Sequence, residues 1–190
     1  MLPEGCFLLH PGPPKSPAPE KFRRRDHIDK GLREEITQLA DGLKPWPLFL
    51  TGEAGSGKTC AGLCMYDHFG GWYLPLPDLA SLIIDAQLGR LTWSSGYART
   101  VKDLRKDWND ANLIVLDEIG SRSQVSDHHY ETLKRALDDC EGRPLVLISN
   151  HDLETLERIY DDRIASRIAA GTIVQLNGDR RLQRALASRR

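Results

Sequence analysis

Eight residues, Gly52 to Thr59, constrain this chain more than any other stretch of it. They read G-E-A-G-S-G-K-T and match the pattern G-x-x-x-x-G-K-T. Glycines at three of these positions permit backbone angles that a side chain would forbid, so successive N–H groups can point inward at phosphate oxygens. The positive end of the following helix would lie behind those groups. The pattern predicts a phosphate-binding loop between an apolar strand and a helix.

The side chains of this loop suit a nucleoside triphosphate and its metal ion. Lys58 is long enough to reach the β- and γ-phosphates, and the Thr59 hydroxyl can ligate Mg²⁺. The flanks agree, because residues 47–51 are apolar and residues 60–66 continue as a helix. The residues predicted to bind the nucleotide here are Gly52, Glu53, Ala54, Gly55, Ser56, Gly57, Lys58, Thr59 and Cys60.

A second signal lies about sixty residues further on, in the run N-L-I-V-L-D-E at 112–118. Its four apolar residues predict a buried strand of a parallel sheet. Two carboxylates follow at the strand end. Asp117 is expected to hold Mg²⁺, often through water, and Glu118 to orient or deprotonate an attacking water. A lone Asp-Glu pair would indicate a solvated loop, but a phosphate-binding loop upstream favours a hydrolytic site.

Two further features are polar residues in places that suit phosphate chemistry. Asn150 ends a predicted buried strand, where it can sense a γ-phosphate or help place the water; in isolation such a residue is more often a strand-end cap. A predicted helix at 161–169 places Arg163 and Arg167 four residues apart on one face.

Strands and helices alternate along the chain, which predicts an α/β fold with a mainly parallel five-stranded sheet covered by helices on both faces. The order of the strands does not follow from the sequence. The predicted strands are 47–51, 72–76, 112–118, 144–150 and 171–176, and the predicted helices are 26–43, 60–66, 79–88, 97–108, 126–140, 155–160 and 161–169. We expect a Pro-rich arm at 1–25, one domain at 26–182 and a basic tail at 183–190.

Composition limits the other classes of function. The net charge of −1 does not announce a nucleic-acid binder, although basic residues cluster at 21–25 and 180–190. Each cluster is either a solvated tail or a contact with nucleic acid or an acidic partner. Four cysteines without a C-x-x-C pair disfavour zinc and favour a reduced, cytoplasmic protein. With no run of about 18 apolar residues, we expect no membrane partner.

Taken together, these segments resemble the AAA+ ATPases, and within them the DnaC/IstB-like group of helicase loaders and transposition helpers. The resemblance covers roughly residues 26–182. It rests on L-D-E-I-G at 116–120 with Gln124, Ser126 and Asp127 after it, on I-S-N at 148–150, and on D-R-I-A-S-R-I at 162–168. These runs look like the acidic Walker B strand, the sensor-1 strand and the arginine-finger helix of the family. G-D-R-R at 178–181 is similar to its sensor-2 region.

The resemblance implies a three-layer α/β/α sandwich with an initiator- or loader-type helical insertion and little or no separate C-terminal lid. It implies ATP and Mg²⁺ as cofactors and hydrolysis at a site shared between subunits. Arg167 would be the finger that reaches the γ-phosphate held by a neighbour, with Arg163 in support. Arg181 would act on the nucleotide of its own subunit, and Arg180 is the alternative if the register slips by one.

The insertion of related proteins binds single-stranded DNA, which implies DNA contacts here for Arg99, Lys102, Arg105 and Lys106. Cations suit phosphates, and the aromatic rings of Trp93 and Tyr97 suit base stacking. The competing interpretation is that the four cations form the solvated face of an amphipathic helix.

Our leading hypothesis is an ATPase that loads a replicative helicase, self-associates and assembles on single-stranded DNA. One alternative is a transposition helper that binds duplex DNA, and another is a nucleotide-switched binding module with negligible turnover. A small-molecule kinase would need an Arg-rich lid and an acceptor site. The helix end D-D-C-E-G at 138–142 lacks the basic-aromatic ending common in the family, and the N-terminal arm lacks zinc-binding cysteines. The client protein therefore stays open.

Overall fold

The computed structural model describes residue 28 and residues 30–92, 96–121 and 125–178. The predicted arm at 1–25 and tail at 183–190 lie outside these residues, as do Trp93, Gln124, Arg180 and Arg181. In chain order the described elements are α1 (Lys30–Ala40), β1 (Leu48–Gly52), α2 (Lys58–Phe69), β2 (Trp72–Pro75), α3 (Leu76–Gln87), α4 (Val101–Asp110), β3 (Ile114–Ile119), α5 (Asp127–Asp139), β4 (Leu145–Ser149), α6 (Leu153–Ile159), α7 (Asp162–Ala169) and β5 (Thr172–Leu176).

The five strands form one sheet in the order β2-β3-β4-β1-β5. All four neighbouring pairs are parallel, which confirms the predicted sheet and supplies the order that the sequence left open. The carboxyl ends of β1, β4 and β3 therefore meet side by side at one edge. In open parallel sheets this edge is where ligands bind.

Alternating strand residues bury the two faces of the sheet against different helices. Phe49 and Leu116 pack in a cluster that includes residues of α3 through α7. Leu48 and Val115 pack in a second cluster with residues of α1 and α2. Helices on both faces confirm the predicted three-layer α/β/α sandwich, and α3 and α4 form the predicted helical insertion between β2 and β3.

Helices α3 and α4 begin three and four residues away from their predicted starts, for local reasons. The prediction that α4 begins at Tyr97 is wrong, because Thr100 caps the helix in a reciprocal pair with Asp103. The Asp103 N–H donates to the Thr100 hydroxyl over 3.3 Å, and the Thr100 N–H donates to the Asp103 carboxylate over 2.8 Å. Helix α3 starts at Leu76 rather than Leu79, since Pro77 fits a first helical turn, where its missing N–H costs nothing.

Within the described residues, no helix is long and apolar enough to cross a membrane.

Candidate functional site

The loop between β1 and α2 has the backbone geometry that its glycines predict. Gly52, Gly55 and Gly57 all have positive φ angles, of 139°, 88° and 101°. At Gly52 a β-carbon would lie 2.0 Å from the backbone oxygen of Leu176, so a side chain would collide with β5. Gly57 is the left-handed residue immediately before α2, and it turns the chain into the helix. The loop is thus shaped by positions that admit only glycine without strain.

Lys58 lies inside this loop rather than in solvent. Its ammonium group donates hydrogen bonds to the backbone oxygens of Gly52 and Glu53, over 2.7 and 2.8 Å, and it lies 3.4 Å from the Ser56 hydroxyl. Its side chain is buried. Contact with a phosphate would exchange neutral acceptors for a charged one, and charge-assisted bonds are the stronger kind.

The structure brings Thr59 and Asp117 together, as the sequence predicts. The Thr59 hydroxyl donates to Oδ2 of Asp117 over 2.9 Å, although 58 residues separate the two in the chain. The Glu118 N–H donates to Oδ1 of the same carboxylate over 2.7 Å. Only 6 % of Asp117 is exposed. A hydroxyl beside a buried carboxylate is the hard oxygen donor set that Mg²⁺ prefers, so these residues fit the metal.

Tyr73 is part of this arrangement, although it is not among the site residues predicted from the sequence. Its hydroxyl donates to Oδ2 of Asp117 over 2.6 Å. Burial, followed by the adjacent Asp117 charge, raises the pKa of the Tyr73 hydroxyl, so this group stays protonated and remains a donor. A signal was present in the sequence, because Tyr73 alternates with apolar strand residues and a buried tyrosine needs a partner for its hydroxyl.

Glu118 departs from regular strand geometry. Among the described residues it is the only one other than glycine with a positive φ, at 61°. The register of β3 on β4 shifts between Leu116 and Ile119, around the acidic pair. The Glu118 side chain is exposed. Partial loss of water, and then the charges of Asp117 and Asp78, raise the pKa of its carboxyl group, which suits a general base.

Asn150 lies exposed at the end of β4, between two residues that tie the strand ends together. The hydroxyl of Ser149 donates to the backbone oxygen of Ile119 over 2.6 Å. On the other side of β4, the hydroxyl of Thr51 donates to the backbone oxygen of His151 over 2.7 Å. These bonds fix the ends of β1, β4 and β3 relative to one another, and with them the backbone that carries Asn150.

The two arginines of α7 lie on the surface of the protomer. Arg163 is exposed. Arg167 is 40 % exposed, and its Nη2 lies 2.9 Å from Oδ1 of Asp138 at the end of α5. The predicted finger is thus engaged in an ion pair within its own chain, with a partner that is not predictable from the sequence.

The four cations predicted to contact DNA do not form one surface. The structure corrects the prediction for Arg99, which is 1 % exposed and forms an ion pair with Asp107 of α4. It precedes the helix, and its backbone N–H donates to the backbone oxygen of Leu91. Lys102, Arg105 and Lys106 are exposed on α4, so DNA contact stays a prediction for these three.

The sheet order, the loop after β1 and the acidic pair near the end of β3 together match the AAA+ α/β fold. No protein-family model matches the sequence, and no curated protein matches it. Solved structures do. The DnaC helicase loader matches with a TM-score of 0.61 at 15 % identity, over 85 % of this chain and 99 % of that one. DnaI matches with a TM-score of 0.57 at 18 % identity, over 83 % and 92 %.

The replication initiator DnaA, bound to AMPPCP and single-stranded DNA, matches with a TM-score of 0.62 at 18 % identity. That match covers 83 % of this chain and 52 % of DnaA, so the chain spans about half the length of the initiator. The resemblance to AAA+ initiators and loaders that the sequence indicates is confirmed at the level of the fold.

Proposed function

We propose that this chain binds ATP with Mg²⁺, hydrolyses it, and couples hydrolysis to assembly on single-stranded DNA as a helicase loader. One observation carries the proposal. Lys58, Thr59 and Asp117 converge where β1 and β3 end, with the Thr59 hydroxyl 2.9 Å from the Asp117 carboxylate. A cation inside a glycine-shaped loop, beside a metal-binding oxygen pair, is the arrangement that a nucleoside triphosphate requires.

Each residue of the site has a role that its geometry supports. Backbone N–H groups of the loop donate to the phosphates, and Lys58 neutralises charge on the transferring group. Thr59 and Asp117 hold Mg²⁺, which when bound supplies further charge neutralisation. Glu118 takes a proton from the attacking water, for which a raised pKa is favourable. Asn150 orients that water from the adjacent strand end.

In this proposal the site is completed by a second copy of the chain. Arg167 of one protomer reaches the γ-phosphate bound by the next, with Arg163 in support, while Arg181 acts in cis. A finger of this kind is worth roughly 10³–10⁵ in rate. The ion pair between Arg167 and Asp138 is partly exposed, and exposed pairs contribute only about 0–1 kcal/mol. A phosphate can therefore displace Asp138.

The choice of protein partner and nucleic acid is supported by the likeness to solved proteins and by the charge on α4. DnaC is described as a helicase loader, and the matching DnaA structure contains single-stranded DNA. Lys102, Arg105 and Lys106 present three exposed cations on one short helix, as phosphate contacts would need. We therefore propose a replicative helicase as the protein partner and single-stranded DNA as the nucleic acid.

The enzymatic part of the proposal is tested by separating nucleotide binding from turnover. Affinity for a fluorescent ATP analogue and phosphate release would be measured for the unmodified protein, Lys58→Ala and Glu118→Gln. We expect Lys58→Ala to lose binding, and Glu118→Gln to bind normally while phosphate release falls about 100-fold or more. Glu157→Gln makes the same change on the exposed face of α6 and serves as the control. Normal turnover by Glu118→Gln would contradict hydrolysis at this site.

The DNA part is tested with the double variant Lys102→Glu, Lys106→Glu. We expect it to lose affinity for single-stranded DNA and to show a shallower dependence of affinity on salt, because fewer counterions are released. Lys30→Glu reverses the charge of a residue on α1 and should leave DNA affinity unchanged. A preference of the unmodified protein for duplex DNA would contradict the loader and favour a transposition helper.

A further inference from the structure

We propose that Tyr73 is a positioning residue for Mg²⁺, which it serves by orienting the carboxylate of Asp117 without contacting the metal or the nucleotide. The inference rests on the proposed function and extends it to a residue outside the phosphate-binding loop and the acidic strand end.

The register of the sheet places the two residues within reach of each other. Strand β2 pairs in parallel with β3, with Tyr73 opposite Val115 and Pro75 opposite Asp117. Because strand residues alternate between faces, Tyr73 and Asp117 project to the same face as diagonal neighbours, a distance that long aromatic side chains span. The 2.6 Å bond between them is short, as expected for a hydroxyl that donates to a carboxylate.

The hydrogen bonds on Asp117 explain why this donor matters. Oδ1 accepts from the Glu118 N–H, and Oδ2 accepts from both Thr59 and Tyr73. Thr59 belongs to the helix that carries the phosphate-binding loop, so its position depends on that loop. Tyr73 is 4 % exposed and belongs to the sheet. It therefore holds Oδ2 independently of the loop, which fixes the direction in which the carboxylate offers its remaining lone pair to a metal.

A purely structural role makes a different prediction from a positioning role. If the bond from the Tyr73 hydroxyl only stabilises the core, by giving a buried donor its acceptor, then its removal would weaken nucleotide binding equally with and without Mg²⁺. If it orients Asp117, binding without metal is preserved and only the dependence on Mg²⁺ changes. The two roles are separated by nucleotide affinity measured in EDTA and across a Mg²⁺ titration.

The test is Tyr73→Phe, which removes the hydroxyl and keeps the ring. We expect its affinity for a fluorescent ATP analogue in EDTA to stay within about two-fold of the unmodified protein. We expect the Mg²⁺ concentration for half-maximal nucleotide binding to rise about 10-fold, the usual size of an effect on metal binding from an indirect partner. Tyr130→Phe is the matched control, since its hydroxyl also donates to a carboxylate over 2.6 Å, that of Asp161. Its Mg²⁺ midpoint should not move.

Two results for Tyr73→Phe would overturn the inference and leave the proposed function standing. One is an unchanged Mg²⁺ midpoint, and the other is a loss of nucleotide affinity in EDTA that equals the loss in Mg²⁺. A second variant, Tyr73→4-aminophenylalanine, keeps a donor at the same place and should restore most of the Mg²⁺ response. A midpoint no better than that of Tyr73→Phe would also overturn the inference. Absence of any Mg²⁺-dependent nucleotide binding by the unmodified protein would instead overturn the proposed function.

Discussion

Glu118, which the proposed chemistry needs, has a backbone conformation that is unfavourable for any residue with a β-carbon. Its φ of 61° lies in the left-handed region, which costs a residue with a β-carbon about 1–2 kcal/mol. The irregular register between β3 and β4 is centred on the same place. Strain of this kind persists where surrounding bonds fix the backbone, and it is concentrated at functional sites. Here the Glu118 N–H is held by the Asp117 carboxylate.

We predict that Glu118→Gly is more stable than Glu118→Ala. Both variants lack the carboxylate, but only alanine keeps the β-carbon that makes a positive φ unfavourable. A strain of about 1–2 kcal/mol is opposed by the greater freedom of glycine in the unfolded chain, about 0.5–1 kcal/mol, so we expect a net gain of about 0.5–1 kcal/mol. Urea denaturation of the two variants measures this difference. If Glu118→Ala is instead the more stable variant, by the roughly 0.5–1 kcal/mol that the freedom of glycine alone costs, Glu118 is not strained.

Site residues were predictable from the sequence where their spacing alone indicates their chemistry. They were less predictable where burial decides whether a side chain reaches the surface. The glycines, Lys58, Thr59 and the acidic pair follow from local patterns, and the structure brings Thr59 and Asp117 into contact. Arg99 was misplaced because charge alone favours the surface. Its burial is accompanied by an ion pair with Asp107, eight residues further on, and by a backbone hydrogen bond to Leu91, neither of which periodicity reveals.

Helix α7 shows how one capping residue can control the orientation of a functional surface. The carboxylate of Asp161 accepts from the Ile164 N–H over 2.9 Å and from the Tyr130 hydroxyl over 2.6 Å. It therefore caps α7 and joins that helix to α5. The bond from Tyr130, and to a smaller extent the bond from Ile164, lower the pKa of Asp161. Both arginines of the proposed finger region lie on this helix.

We predict that Asp161→Ala lowers stability by about 1 kcal/mol at pH 7, as the loss of an N-terminal cap usually does. The pKa of Asp161 is lower in the folded protein than the unfolded value of about 4. The ionised carboxylate therefore contributes stability above that pH, and the contribution is lost as the pH falls through the folded pKa. Urea denaturation at pH 7 and pH 3 should show the penalty shrinking at the lower pH.

The control is Asp110→Ala, which removes an exposed acid at the C-terminal end of α4 and should not reproduce this trend. A penalty for Asp161→Ala that is the same at both pH values would contradict the assigned role of its charge.

At the scale of elements, the sequence predicted the type of each described helix and strand but misplaced several helix starts, that of α4 by four residues. Apolar spacing in the region before Val101 continues into the true helix, so periodicity alone placed the start of α4 too early. The pair Thr100 and Asp103 marks the start correctly, because a capping residue and an acid three positions later satisfy both exposed N–H groups. Side-chain capping chemistry is here a better guide to helix bounds than hydrophobic pattern.

At the scale of the molecule, strand order determines what the protein can do. Placing β4 between β1 and β3 brings the phosphate-binding loop, Asn150 and the acidic pair to one edge. The order was not predictable from the sequence, because β1, β3 and β4 each contain a continuous apolar run that would fit several positions in a parallel sheet. The surface position of Arg167 is compatible with the proposal that a second protomer completes the site.

The most direct test of this account is a mixture of two inactive subunits. Lys58→Ala lacks the nucleotide-binding half of a site, and Arg167→Ala lacks the half that would act on a neighbour. We predict that each hydrolyses little ATP alone, and that equal amounts mixed recover up to about a quarter of normal activity, because one interface in four pairs two intact halves.

A mixture of Lys58→Ala with Glu118→Gln should recover nothing, since both defects lie in the same half. The result that would contradict the account is absence of recovery at every ratio of Lys58→Ala to Arg167→Ala, or full activity of Arg167→Ala by itself.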